Sequence, residues 1–136
     1  MSAMILNHCI IPVSDHDAAL AFYRDLLGYR VENDVRRDGF VWLTLVSDDQ
    51  PEVELVLETV GGDPDGSPED RRAMQELLAK GVLARFLFGT DDLDAVYATL
   101  VEGGAEIVQE PQDQFWGVRD LAVRDPSGNL LRISQR

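Results

Sequence analysis

Apolar and polar positions along the chain follow an order that occurs twice. Residues 5–13 are nearly continuously apolar and predict a buried strand. Ser14 or Asp15 then caps a helix whose apolar positions Ala19, Phe22, Tyr23, Leu26 and Leu27 recur at helical spacing until Gly28 ends it. Alternation and β-branched content predict strands over 29–32, 40–46 and 53–59. After the loop from Gly61 to Gly66, Ser67 as N-cap and Pro68 at the first helical position start a short helix that Gly81 closes. The order then returns: strand 83–88, helix 92–102, strand 106–109, a loop at Pro111, strand 118–124, a turn over 125–129 and strand 130–134. The segment Asp15-His16-Asp17-Ala18-Ala19-Leu20-Ala21 comes back as Asp92-Leu93-Asp94-Ala95-Val96-Tyr97-Ala98, and His8 in the first copy is matched by Arg85 in the second. The expectation is an α+β fold: one domain over 1–136, built of a β-α-β-β-β module (4–60), a linker helix segment (61–81) and a second such module (82–135).

Composition excludes several classes. With 136 residues, 45% of them apolar, the chain supports one domain with a real core and is too short for two ordinary ones. No apolar run approaches the roughly 20 residues that span a bilayer, and the first residues lack the basic region and cleavage site of a secretory signal. The single cysteine, Cys9, cannot form an internal disulfide, and its strand parity turns it into the core; a cytoplasmic location is expected. A net charge of −13 argues against nucleic acid, whose phosphates are neutralised by clustered Lys and Arg. Motifs for serine hydrolysis, nucleotide hydrolysis, dinucleotide binding and dithiol redox chemistry are absent.

The doubled module, the run Ala18-Ala19-Leu20-Ala21-Phe22-Tyr23-Arg24-Asp25-Leu26-Leu27-Gly28, the strand Trp42-Leu43-Thr44-Leu45-Val46 and the turn Asp125-Pro126-Ser127-Gly128-Asn129 together resemble the vicinal oxygen chelate superfamily, which includes glyoxalase I, extradiol dioxygenases and bleomycin resistance proteins. The resemblance runs from about Met4 to Ser134 and implies two curled mixed sheets around a concave cup, in chains that often dimerise. Trp116-Gly117-Val118-Arg119-Asp120 resembles the Trp-Gly-x-Arg stretch of bleomycin resistance proteins, in which that loop rims the cup. In the enzymes a divalent ion is held by a His on the first strand, a carboxylate on the last strand of module one, a ligand on the first strand of module two and a Glu after the turn. The matching positions here are His8, Glu58 (or Glu54 on the same face), Arg85 and Arg132. Arginine has no lone pair to donate and brings a positive charge to where a cation would sit, so two of four ligands are lost.

The resemblance with this substitution implies a metal-independent small-molecule binding protein that sequesters a drug or metabolite, with no cofactor and a homodimeric assembly. The alternative is a metal-dependent glyoxalase-like lyase or extradiol dioxygenase using His8 and Glu58. Strand parity puts His8, Glu54, Glu58, Arg85 and Arg132 on the cup side, and Trp42 and Trp116 are the flat surfaces on which a ligand would stack. The two arginines either pair with Glu54 and Glu58 across the cup, replacing the metal as the link between modules, or stay available for a ligand. The expected ligand has an aromatic or apolar body and an anionic or carbonyl oxygen directed at Arg85 or Arg132. A cationic antibiotic received by the glutamates is the exception.

Overall fold

Strand β1 (His8–Val13) turns Cys9, Ile11 and Val13 to one side and His8, Ile10 and Pro12 to the other. The computed structural model describes residues 2–136. After β1 come helix α1 (His16–Leu20), which continues as a π-helix (Ala21–Leu26), and strands β2 (Arg30–Arg37), β3 (Phe40–Ser47) and β4 (Gln50–Thr59). Helix α2 (Pro68–Ala79) links to β5 (Arg85–Thr90), α3 (Leu93–Glu102), β6 (Glu106–Asp113), β7 (Arg119–Arg124) and β8 (Leu130–Gln135). Each module forms a four-stranded mixed sheet, ordered β1-β4-β3-β2 and β5-β8-β7-β6, with the first strand parallel to the last and the other pairs antiparallel. The two β-α-β-β-β modules of the sequence pattern are thus present.

The helices start where the sequence provides caps. Asp15 accepts from the Asp17 and Ala18 amides, Ser67 from the Asp70 amide ahead of Pro68, and Asp92 from the Ala95 amide. The helix-bearing faces share one core: Ile11, Val13, Leu43, Leu45, Leu55 and Leu57 from module one meet Leu121, Val123, Leu131 and Ile133 from module two, with Tyr23, Leu93 and Leu100 from the helices. No helix is long and apolar enough to cross a membrane.

Four local features depart from the sequence pattern. Strand β1 begins at His8, leaving Ile5 and Leu6 exposed. The helix after Asp15 widens into a π-turn, closed by Leu27 N–H donating to the Phe22 carbonyl; Phe22 and Tyr23 are both buried, ring centroids 5.0 Å apart. Strand β6 runs through Pro111 to Asp113, where a loop was expected; β6 is an edge strand with shifted register between Gln109 and Gln112, so a missing N–H costs little there. His16, whose place in the first helical turn predicts solvent exposure, is half-buried, and its Nε2 is enclosed without a partner among the described residues. Cys9 is half-buried as parity requires, and burial pushes its thiol above the ordinary value.

Candidate functional site: two polar sheet faces

On module one, the polar parity of β1, β3 and β4 gathers His8, Trp42, Thr44 and Glu54 on the face away from the helices. Register makes His8 the direct neighbour of Glu54, and His8 Nε2 lies 3.4 Å from Glu54 Oε2. The other carboxylate oxygen accepts a 2.8 Å bond from the fully buried Thr44 hydroxyl, which itself accepts from Asn33 Nδ2 at 2.9 Å. Glu54 is therefore held at both oxygens. The Trp42 ring lies 6.0 Å from the His8 imidazole, centroid to centroid, and is 37% exposed.

Module two builds a different unit at the corresponding place. Asp120 on β7, only 6% exposed, accepts from Gln114 Nε2 at 2.8 Å, from Gln109 Nε2 at 3.0 Å and from Arg132 Nη1 at 3.4 Å. Arg132 Nη1 also donates to Gln109 Oε1 at 3.1 Å. Burial opposes charge on Asp120, but the hydrogen bonds from Gln114 and Gln109 and the charge of Arg132 overcome it and hold the carboxyl below its ordinary value. Gln114 opens the hairpin tip that carries Phe115 and Trp116, whose rings meet edge to face at 4.9 Å; both are exposed.

The depressed Asp120 value has a stability consequence of definite sign. Its contribution is fully present above the unfolded aspartate value of about 3.9 and is lost as pH falls through the lower folded one. Urea unfolding followed from about pH 6 to pH 2 should therefore show a shallower acid loss for Asp120→Asn than for the native chain. Superimposable pH profiles would contradict this.

The predicted arginine–glutamate pairs are not formed. Arg132 pairs with Asp120 inside its own module, Glu54 is engaged by His8 and Thr44, and neither Arg85 nor Glu58 takes part in an ion pair among the described residues. The reason is geometric: the modules share their helix-side core, so their polar faces do not lie against each other within one chain. The link between modules is instead the turn after β7, where Asp125 accepts from Tyr23 and Asn129 donates to the Pro12 carbonyl. The chain thus brings together His8, Trp42 and Glu54 in one group and joins Arg132 through Asp120 and Gln114 to the loop bearing Trp116 in another, while Arg85 stands exposed on β5. A cavity of about 540 Å³ lies on the helix side, lined in part by Ala18, Phe22, Leu26, Glu106 and Arg124, and none of His8, Trp42, Glu54, Glu58, Arg85, Trp116 and Arg132 borders it. Asp120, Gln109 and Gln114 escaped the sequence reading. The available signal was one carboxylate on β7, at the parity opposite Leu121 and Val123.

Within the chain His8 and Glu58 are not neighbours. Glu58 pairs in register with Pro12, four residues from His8, which separates the expected ligands His8 and Glu58 by about 13 Å along the strands. Among the described residues no group of three or more His, Cys, Asp or Glu side chains could hold a metal.

Two four-stranded mixed sheets, each with its first strand parallel to its last, define the class of fold. The Glyoxalase/Bleomycin resistance protein/Dioxygenase superfamily model matches residues 5–133, and the chain belongs to that family. It is 36% identical over 126 residues to the protein YurT of Bacillus subtilis (strain 168), covering 91% of this chain and 93% of YurT. Among solved structures it resembles UcmS2 at 36% identity and a TM-score of 0.86, covering 99% of this chain and 100% of UcmS2. It also resembles TnmS3, an antibiotic binding protein from Streptomyces sp. CB03234, at 26% identity and a TM-score of 0.74, covering 99% and 98% of the two chains.

Proposed function

We propose that this protein is a metal-independent small-molecule binding protein that sequesters a drug or metabolite in the cytoplasm, as a homodimer. The observation that supports this reading is the chemistry of the family's ligand positions: two of them are Arg85 and Arg132, which have no lone pair to donate, and Arg132 is turned on Asp120 and Gln109. Exposed Trp42 and Trp116 beside these units supply flat apolar surface for a ligand body. The likeness to TnmS3, an antibiotic binding protein, supports the same class. His8, Trp42, Glu54, Glu58, Arg85, Trp116 and Arg132 are the proposed contact residues.

Dimerisation follows from the open faces. Ile10 is 54% exposed and Leu87 78% exposed, each on the polar side of the edge strand of its sheet, where a second copy would cover it. Module one offers Glu58 on that face and module two offers Arg85, neither in an ion pair among the described residues, so module two of a second copy is complementary to module one of the first. Each binding site would then be enclosed between protomers. Sedimentation equilibrium at micromolar concentration should give twice the 15.1 kDa chain mass, and a monomer would refute the assembly. Thermal-shift screening with aromatic small molecules and with divalent metals tests the function: aromatic ligands should raise the melting temperature of chelator-treated protein by mass action. Stabilisation by metals alone would refute it.

A further inference from the structure

The two modules close their equivalent hairpins differently. In module one the register runs to Arg37 and Phe40, so β2 and β3 are joined by Asp38 and Gly39 alone, both at positive φ. In module two the last register pair is Asp113 and Arg119, and the stretch Gln114-Phe115-Trp116-Gly117-Val118 forms the tip. A two-residue polar turn suffices to reverse the chain, so the aromatic pair in the longer tip is not there to make the turn. Phe115 is 97% exposed and Trp116 57%, and their rings meet each other edge to face. Aromatic surface held out in water on a loop marks a contact surface.

Resting on the reading of the protein as a small-molecule binder, we propose that Gln114 is the positioning residue of the site: its carboxamide fixes the tilt of the Phe115–Trp116 tip relative to the sheet, so that the aromatic wall is in place before a ligand arrives. The backbone closes the tip on itself, Gln114 N–H donating to the Val118 carbonyl at 2.7 Å and Gly117 N–H to the Gln114 carbonyl at 3.0 Å. Those bonds shape the turn and leave its tilt free. The ladder below supports it weakly, because its register shifts between Ile107 and Gln109 and again between Gln109 and Gln112. The tie to the sheet is the side chain, with Gln114 Nε2 donating to Asp120 Oδ1 at 2.8 Å. Asp120 is a fixed post, only 6% exposed and held also by Gln109 and Arg132. A wall anchored in this way has little freedom left to lose when a ligand packs on it, whereas a swinging tip would lose its motion on binding and weaken the affinity accordingly.

The test joins a measurement on the free protein to one on a ligand. In the full chain labelled with 5-fluorotryptophan, Trp42 and Trp116 give separate fluorine resonances, assigned with Trp116→Phe. Gln114→Ala should move the Trp116 resonance toward its urea-unfolded position and leave that of Trp42 in place. The melting temperature should fall by no more than about 3 °C, since Asp120 keeps Gln109 and Arg132. Gln114→Met, equal in length but without the donor, should do the same, and it carries the test if the Ala variant does not fold. The ligand probe is prodan, 6-propionyl-2-(dimethylamino)naphthalene, an uncharged aromatic whose emission reports burial. Gln114→Ala should weaken its binding about tenfold. Trp116→Ala, costly in the native chain, should then cost almost nothing further, whereas Trp42→Ala on the other module should add its full loss in both backgrounds. A Trp116 resonance unmoved by both Gln114 variants, an unchanged prodan affinity, or additive losses at Gln114 and Trp116 overturns the assignment and leaves the binding function standing. Failure of prodan to bind the native protein has the same meaning if another aromatic raises the melting temperature in the thermal screen; if none does, the assignment and the binding function fall together.

Discussion

Replacing Asp125 by Ala should cost about 4 kcal/mol or more, placing it among the most damaging single changes in the chain. Asp125 is 4% exposed and lies at the junction of the modules. One carboxylate oxygen accepts from the amides of Ser127, Gly128 and Asn129, each at 2.9 Å. The other accepts from the Tyr23 hydroxyl at 2.7 Å and from Asn129 Nδ2 at 2.8 Å. Truncation leaves these donors without an acceptor in a dry place, at about 1–3 kcal/mol for each one that stays unsatisfied. Thermal unfolding should move down by on the order of 15 °C, and Tyr23→Phe, which removes one donor and leaves the carboxylate otherwise paired, should cost far less. Equal losses for the two variants would show that the junction is held by packing and not by the carboxylate. The same contact marks alkaline unfolding: burial first, and then the Asp125 charge, push the Tyr23 phenol well above its ordinary value. That stabilisation is present below the unfolded value of about 10 and is lost as pH rises through the folded one.

Gly128→Ala should be comparably severe for a separate reason. Gly128 has φ +113°, a conformation that L side chains rarely adopt, and a Cβ there would collide with the carbonyl oxygen of Leu78 in the last turn of α2. Strained backbone and overpacking each cost about 1–3 kcal/mol, and the obstructing atom is backbone, so relief requires moving the linker helix. Urea unfolding should show the loss, and the Arg124 bridge from Nη1 to the Gly81 and Gly128 carbonyls should be disturbed with it. Gly104→Ala is the control: its φ is also positive, at +74°, but nothing lies within 4 Å of the added carbon, so only the strain should register. Equal losses at the two glycines would rule out the collision.

These two residues also show how the turn 125–129 reads at different depths. Its composition marks a turn before strand β8, because Pro, Ser, Gly and Asn disfavour regular structure. Its docking on Tyr23, Pro12 and Ser14, more than a hundred residues away in sequence, carries no local signal. The π-turn after α1 is similar, since apolar spacing alone reads as an ordinary helix through Leu27.

Local chemistry determined the elements of this protein. The apolar run through β1, the alternation along β4, the caps Asp15, Ser67 and Asp92, and the doubled order of strand and helix depend on neighbours a few residues apart, so they are written along the chain. Parity also put His8, Glu54, Arg85 and Arg132 on the polar side of their sheets. Which of these side chains meet was decided only by tertiary structure. Strand register joined His8 to Glu54 and carried Glu58 away from it; the packing of both modules on a shared helix-side core kept the arginines from the glutamates; and the β6–β7 hairpin brought Gln109, Gln114 and Asp120 to Arg132. Pairing across strands and modules depends on loop lengths, bulges and core shape acting together, and a charge in a sequence names no partner until those have set its neighbours.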